Sequence, residues 1–199
     1  SMMKRPTMKM FQFKGMFPTM DQARLISTAT FASRMMAAED KNESSVLSVH
    51  LHADGSYAKE LWIEGPGCAF APFRYVDGMK EEGRLFPKMN GKTVFMHAVR
   101  RMPECLNEAL KYNSMQLNDI DLLVPHQANL RINEAVAKGL GFPETKVFNT
   151  IQRFGNTTAA TIPIGLSVAI EEGRLKKGMV VGLVAFGSGF TWASALVRW

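Results

Sequence analysis

The spacing of apolar positions changes along this chain, and the change divides it. Residues 1–38 show no sustained period of two or of 3.6. The polar run Lys41-Asn42-Glu43-Ser44-Ser45 closes that stretch, and the pattern is regular from Val46 onward. Val46 to Leu51 reads as a strand, turned by Ala53-Asp54-Gly55, with Leu61-Trp62-Ile63 continuing it as a hairpin. Residues 65–90 are rich in Gly, Pro and Met and read as a long loop, a place where function often sits beside a rigid core. Phe95, Ala98, Val99, Met102, Leu106, Ala109 and Leu110 then make one helical stripe, which Pro103 is expected to kink or restart.

Asp121 to Val124 is a short buried strand that delivers His126 at its carboxyl end. Asn129 caps the next helix, with Ile132, Ala135, Val136 and Leu140 on its apolar face and Gly141 and Pro143 stopping it. Lys146 to Asn149 reads as another strand, and Thr157 as the start of a helix carrying Ile162, Leu166, Ala169 and Ile170 up to Gly173. Met179 to Phe186 is apolar without interruption, as a strand buried on both faces is. Gly187-Ser188-Gly189 turns it into a last strand from Phe190 to Arg198. This order predicts an α/β domain: a mixed sheet, helices on both faces, and a C-terminal β-hairpin.

Composition narrows the function classes. The net charge of +6 suggests nucleic acid, but residues 1–38 hold Lys4, Arg5, Lys9, Lys14, Arg24 and Arg34 against Asp21 alone. The rest is nearly neutral, without the aromatic-interleaved basic stripe of a nucleic-acid binder. No apolar run is long enough to span a membrane. Cys68 and Cys105 have no metal spacing and no disulfide framework, so no metal is expected and a reducing cytoplasm is the default. Ser1-Met2 reads as a tag scar. Residues 1–45 read as a lead-in, either a transit-type leader or a segment unrelated to the domain at 46–199.

Three clusters carry candidate chemistry. His126 lies at a strand's carboxyl end within Pro125-His126-Gln127-Ala128-Asn129, where open α/β sheets place ligands, and the short polar groups of Gln127 and Asn129 are expected to cluster around its imidazole. Asn156, thirty residues on in Gly155-Asn156-Thr157-Thr158, could be a plain helix cap, or its amide could donate to an oxyanion. Phe186-Gly187-Ser188-Gly189-Phe190 serves a hairpin, or lets backbone N–H groups approach a ligand.

These stretches resemble the C-terminal half of β-ketoacyl-acyl carrier protein synthase III, of the thiolase-like superfamily. The resemblance runs over residues 46–199. It is carried by Leu51-His52-Ala53-Asp54-Gly55, by 89–95, by Val124 to Arg131, by Arg153 to Pro163, and by Ala185 to Trp192. It implies a decarboxylative Claisen condensation of acyl-CoA with malonyl-acyl carrier protein in fatty acid synthesis. His126 and Asn156 would hold the enolate oxygen. The backbone N–H of Ser188 would complete an oxyanion hole, and Phe186 would favour loss of the malonyl carboxylate. Gly91, Phe95, Ala128 and Asn129 would line the pantetheine channel, while Arg131 and Lys138 would face the acidic carrier protein. A homodimer is implied as the working assembly.

The chain departs from that family at its nucleophile. The family's cysteine lies in an N-terminal half, and neither Cys68, in a Gly-Pro loop, nor Cys105, in a helix, has its context. The missing N-terminal half is therefore an expected partner, and this chain alone is expected to be inactive. Met96 stands where the family often has lysine, and Ser188 where it often has glycine. A non-catalytic thiolase-like partner, or a carrier-protein-binding subunit, is the alternative.

Overall fold

A computed structural model describes residues 44–67 and 77–199. The lead-in and Cys68 lie outside the described residues. One four-stranded sheet forms the centre. Its members are β1 (Ser45–Ala53), β4 (Leu122–Pro125), β5 (Val180–Gly187) and β6 (Thr191–Arg198), in the order β1-β6-β5-β4. β4 runs parallel to β5, and β6 is antiparallel to both β5 and β1. The sheet is mixed, as expected, and β5–β6 is the expected hairpin.

β1 does not pair with Leu61–Trp62. Asp54 instead caps a 3-10 turn over Gly55–Glu60, its carboxylate accepting from the backbone and hydroxyl of Ser56. β2 (Leu61–Trp62) then pairs with β3 (Lys88–Met89) in a separate two-stranded ribbon. The second strand of that ribbon falls inside the stretch expected to be loop.

Helices cover both faces. α1 (Gly91–Tyr112) and α2 (Leu130–Leu140) lie on one side and α4 (Thr161–Glu171) on the other, while α3 (Ile151–Phe154) is a single turn. Strand alternation sorts the core accordingly. Val184, Phe186 and Leu196 join Met102, Leu106, Ile132 and Val136, whereas Val181, Leu183 and Ala195 join Ile162, Leu166 and Ala169. β5 is buried along nearly its whole length because both its faces and both its edges are covered.

Four local expectations change. α1 runs through Pro103 as one helix of 22 residues. The packed residues Met102, Cys105 and Leu106 hold it where the proline removes one backbone donor. α2 buries Asn133 and Ala137 beside Ile132 and Val136, while Leu140 packs partly buried on the same core and Ala135 is only half-buried. Asn133 donates to Asn149 at 2.7 Å. The strand expected at 146–149 shrinks to a bridge between Val147 and Leu123, after a 3-10 turn over Glu144–Lys146. Finally, α4 starts at Thr161, not Thr157, because Thr158 has a positive φ and begins a separate 3-10 turn.

Candidate active site

β4 ends at Pro125, and the next residue is held in line by its backbone, His126 N donating to Val184 O at 2.8 Å. The imidazole is thus carried by the sheet itself. Its Nδ1 lies 2.6 Å from Thr161 Oγ1, the first residue of α4. When the Thr161 hydroxyl donates to Nδ1, the ring proton resides on Nε2, which is then a donor. Burial depresses the imidazole pKa from 6.5 to about 4, so the ring is neutral at pH 7. The positive end of α4 opposes protonation in the same sense.

Asn156 reaches the site from a different element. Gly155, at φ 66° and ψ −159°, occupies backbone space that a side chain disfavours, and it reverses the chain after α3. The Asn156 carboxamide oxygen then accepts from Thr158 N at 2.9 Å. That bond lies at the entry to a 3-10 turn, ahead of α4. It also fixes the amide orientation, leaving Nδ2 as a donor for something else.

Gln127 does not join the imidazole's polar surroundings, contrary to the sequence reading. It is 0% exposed. Its Nε2 donates to Pro125 O and Phe148 O, and its Oε1 accepts from Thr150 N and Ile151 N. The side chain ties the end of β4 to the segment that leads through α3 to Asn156. It therefore braces the two segments that carry the candidate site residues and does not itself line the cavity.

The same cavity, of about 480 Å³, is lined by His126, Asn156, Phe186, Ser188, Gly91, Phe95, Ala128 and Asn129. These are the expected enolate, oxyanion, gating and pantetheine residues. Phe186 is buried, edge-on to Phe190 at 4.9 Å between ring centres. The turn bearing Ser188 is held by Thr191 Oγ1, which donates to Ser188 O at 2.8 Å. Asn129 caps α2, accepting from Arg131 N, and Arg131 and Lys138 are exposed one above the other on that helix.

Sequence reading missed Thr161 and the opposite wall, where Leu61, Trp62, Ile63, Pro87 and Met89 also line the cavity. The Thr157-Thr158-Ala159-Ala160-Thr161 run showed a helix start but not which threonine faces the imidazole. Trp62 was visible only as a strand residue.

Among the described residues, Cys105 is not in this cavity. It is 1% exposed, and its thiol donates to Ser194 Oγ at 3.1 Å. Burial pushes the thiol up to about 11, far from a ready nucleophile.

Residues 110–199 match the family described as 3-oxoacyl-[acyl-carrier-protein] synthase III C terminal. The chain is 44% identical over 156 residues to the β-ketoacyl-[acyl-carrier-protein] synthase III of Paramagnetospirillum magneticum, covering 78% of this chain and 45% of that protein. Against the Wolbachia pipientis synthase III it is 37% identical over 179 residues, covering 90% and 52%. Among solved structures it superposes on synthase III from Pseudomonas aeruginosa with a TM-score of 0.70 at 34% identity, covering 81% of this chain and 47% of that one. The Thermus thermophilus synthase III gives 0.68 at 39% identity, covering 80% and 47%. The chain spans about half the length of the curated relatives it matches. Its fold is the thiolase-like C-terminal half found in those structures.

Proposed function

Because the chain carries the C-terminal domain of the 3-oxoacyl-[acyl-carrier-protein] synthase III family, we propose that it supplies the enolate-stabilising half of a decarboxylative Claisen condensation. The convergence of His126 and Asn156 from separate elements on one cavity carries this reading. The malonyl thioester oxygen would accept from Nε2 of neutral His126 and from the Asn156 amide. Loss of CO₂ leaves its electron pair on the enolate, where those two donors stabilise the developing charge. The enolate carbon then attacks an acyl thioester, and the thiolate departs.

The acyl group would be carried by a cysteine outside the described residues, in the N-terminal half that the relatives' greater length accommodates. The cavity's mostly apolar walls, with Gly91 at the start of α1, suit a pantetheine arm. Arg131 and Lys138, exposed on α2, suit an acidic carrier protein. Phe186 would exclude water from the malonyl carboxylate. We place the working assembly as a homodimer in the cytoplasm, acting on acyl-CoA and malonyl-acyl carrier protein without a bound cofactor. No helix among the described residues is long and apolar enough to cross a membrane.

Recombining the chain with a cysteine-bearing N-terminal half from a related synthase tests this. Condensation should appear only in the mixture. His126→Ala and Asn156→Ala should each lower its rate by about 100-fold, the size of losing one oxyanion donor. Restored activity indifferent to both substitutions would remove the assignment. Carrier-protein binding with no decarboxylation would favour a non-catalytic partner subunit instead.

A further inference from the structure

β1 breaks the usual rule that the sheet's covered face is apolar. Its residues pointing toward α1 include His50 and His52, at alternate positions and therefore on one face. Across from them, α1 presents Cys105 and Glu108, three residues apart and so on one helical face. His52 Nε2 lies 2.6 Å from Glu108 Oε2, and His50 Nδ1 lies 3.3 Å from Glu108 Oε1. One ligand atom from each of His52, Cys105 and Glu108 falls within 4.8 Å of the other two. Four metal-ligating side chains thus meet between one strand and one helix, outside the candidate active site.

We propose that His52, Cys105 and Glu108 form a binding site for a divalent transition metal of the zinc class, with His50 as the residue that orients the Glu108 carboxylate. The donor set decides the class. One imidazole nitrogen, one thiolate and one carboxylate oxygen match tetrahedral zinc chemistry, with bonds of about 2.0 to 2.3 Å. Ligand atoms around such an ion stand about 3.3–3.6 Å apart, so the His52–Glu108 pair at 2.6 Å must open slightly and Cys105 Sγ, within 4.8 Å of both, close in. Two anionic ligands neutralise a dication, which suits a partly buried place. Glu108 and His52 are partly open to solvent, giving the ion its way in and a water its fourth position.

Binding breaks the Cys105 S–H bond. The sulfur's electron pair goes to the metal and the proton to solvent, with no change of oxidation state. Ser194 Oγ now accepts from that thiol at 3.1 Å and donates to Cys105 O at 2.8 Å, and on metal binding its hydrogen can swing from that carbonyl to the thiolate. His50 would keep its bond to Glu108 Oε1 while Oε2 turns to the metal, the outer support that metal-bound carboxylates normally have. An ion here would tie β1 to α1. It would also fix Trp192, which stacks on His52 at 5.5 Å and lies 6.3 Å from Phe186 on the cavity wall.

Cobalt(II) titration of the chelator-treated full chain tests the site. We expect one ion per chain, the visible bands of tetrahedral cobalt, and a thiolate-to-cobalt charge-transfer band. Zinc should displace the cobalt and raise Tm by several degrees. Cys105→Ser should abolish the charge-transfer band, and His52→Ala and Glu108→Gln should each weaken binding at least tenfold. His50→Ala should weaken it about tenfold, as loss of an outer partner does. If Cys105→Ser fails to fold, the band in the parent and its loss in His52→Ala decide the matter, with circular dichroism checking the fold of each variant. No cobalt uptake at a hundredfold excess, or uptake unchanged in His52→Ala and Glu108→Gln, overturns the proposal.

Discussion

His126 links the candidate chemistry to stability through its protonation. Burial holds its folded pKa near about 4 against 6.5 in a free imidazole. The unfolded chain therefore takes up a proton at a pH where the folded chain does not. The resulting stability is complete above pH 6.5 and is lost as pH falls toward about 4. At about 1.4 kcal/mol per unit, the whole effect is at most about 3 kcal/mol. His126→Gln keeps a neutral donor and removes the titration. We predict that its urea midpoint falls less steeply than the parent's between pH 6.5 and 4, while both respond alike above pH 7. Equal slopes in the two proteins would show that the imidazole is not held neutral by burial. The same depression makes the oxyanion donor available without any need to lose charge near neutral pH.

At the scale of elements, α4 sits unusually close to β4, and Gly165 permits it. A Cβ on that residue would lie 3.0 Å from Val124 Cγ1. The closeness matters because α4 brings Thr161 to the His126 ring. We expect Gly165→Val to destabilise by about 1–3 kcal/mol through overpacking. Adding Val124→Ala should recover part of that loss, giving a coupling of about 1 kcal/mol in a double-mutant cycle by chemical denaturation. Strict additivity would mean that the helix shifts instead of clashing. The elements legible in the sequence were those whose signal is local. The α1 stripe, the glycine connection of β5–β6, the Asn129 cap and the apolar run of β5 each announce themselves within a few residues. β1's partner did not, because β6 lies at the far end of the chain and nothing near Val46 encodes that pairing. The start of α4 was misplaced for a subtler reason. The Asn156 carboxamide captures Thr158 N and diverts the chain into a 3-10 turn, so the same residue that looked like a helix cap postpones the helix. Gln127 looked like a site residue because spacing along a strand end does not reveal which way a side chain turns.

The whole molecule has two unlike outer faces. α1 turns Arg100, Glu104, Asn107 and Lys111 outward, among others. α4 is apolar nearly all round, a composition expected of a helix enclosed on every side. Yet among the described residues Ile170 remains 46% exposed on it, and Leu51, on the same side of the sheet, is 55% exposed. A helix of that kind in the middle layer of a larger fold would have its outer side covered, and the match takes in 47% of each of these solved relatives. A second copy would bury the apolar surface that the described residues leave exposed at Ile170 and Leu51. We therefore predict that the purified chain self-associates at tens of micromolar, as read by size-exclusion chromatography with light scattering. Ile170→Lys combined with Leu51→Lys should shift it toward monomer, because each charge must be desolvated to rebuild the contact. A cysteine-bearing N-terminal half should have the same effect on the parent chain by occupying the face. A clean monomer in the parent at that concentration would show that α4's outer side is satisfied within the chain, and the proposed second half would then rest on the proposed chemistry alone.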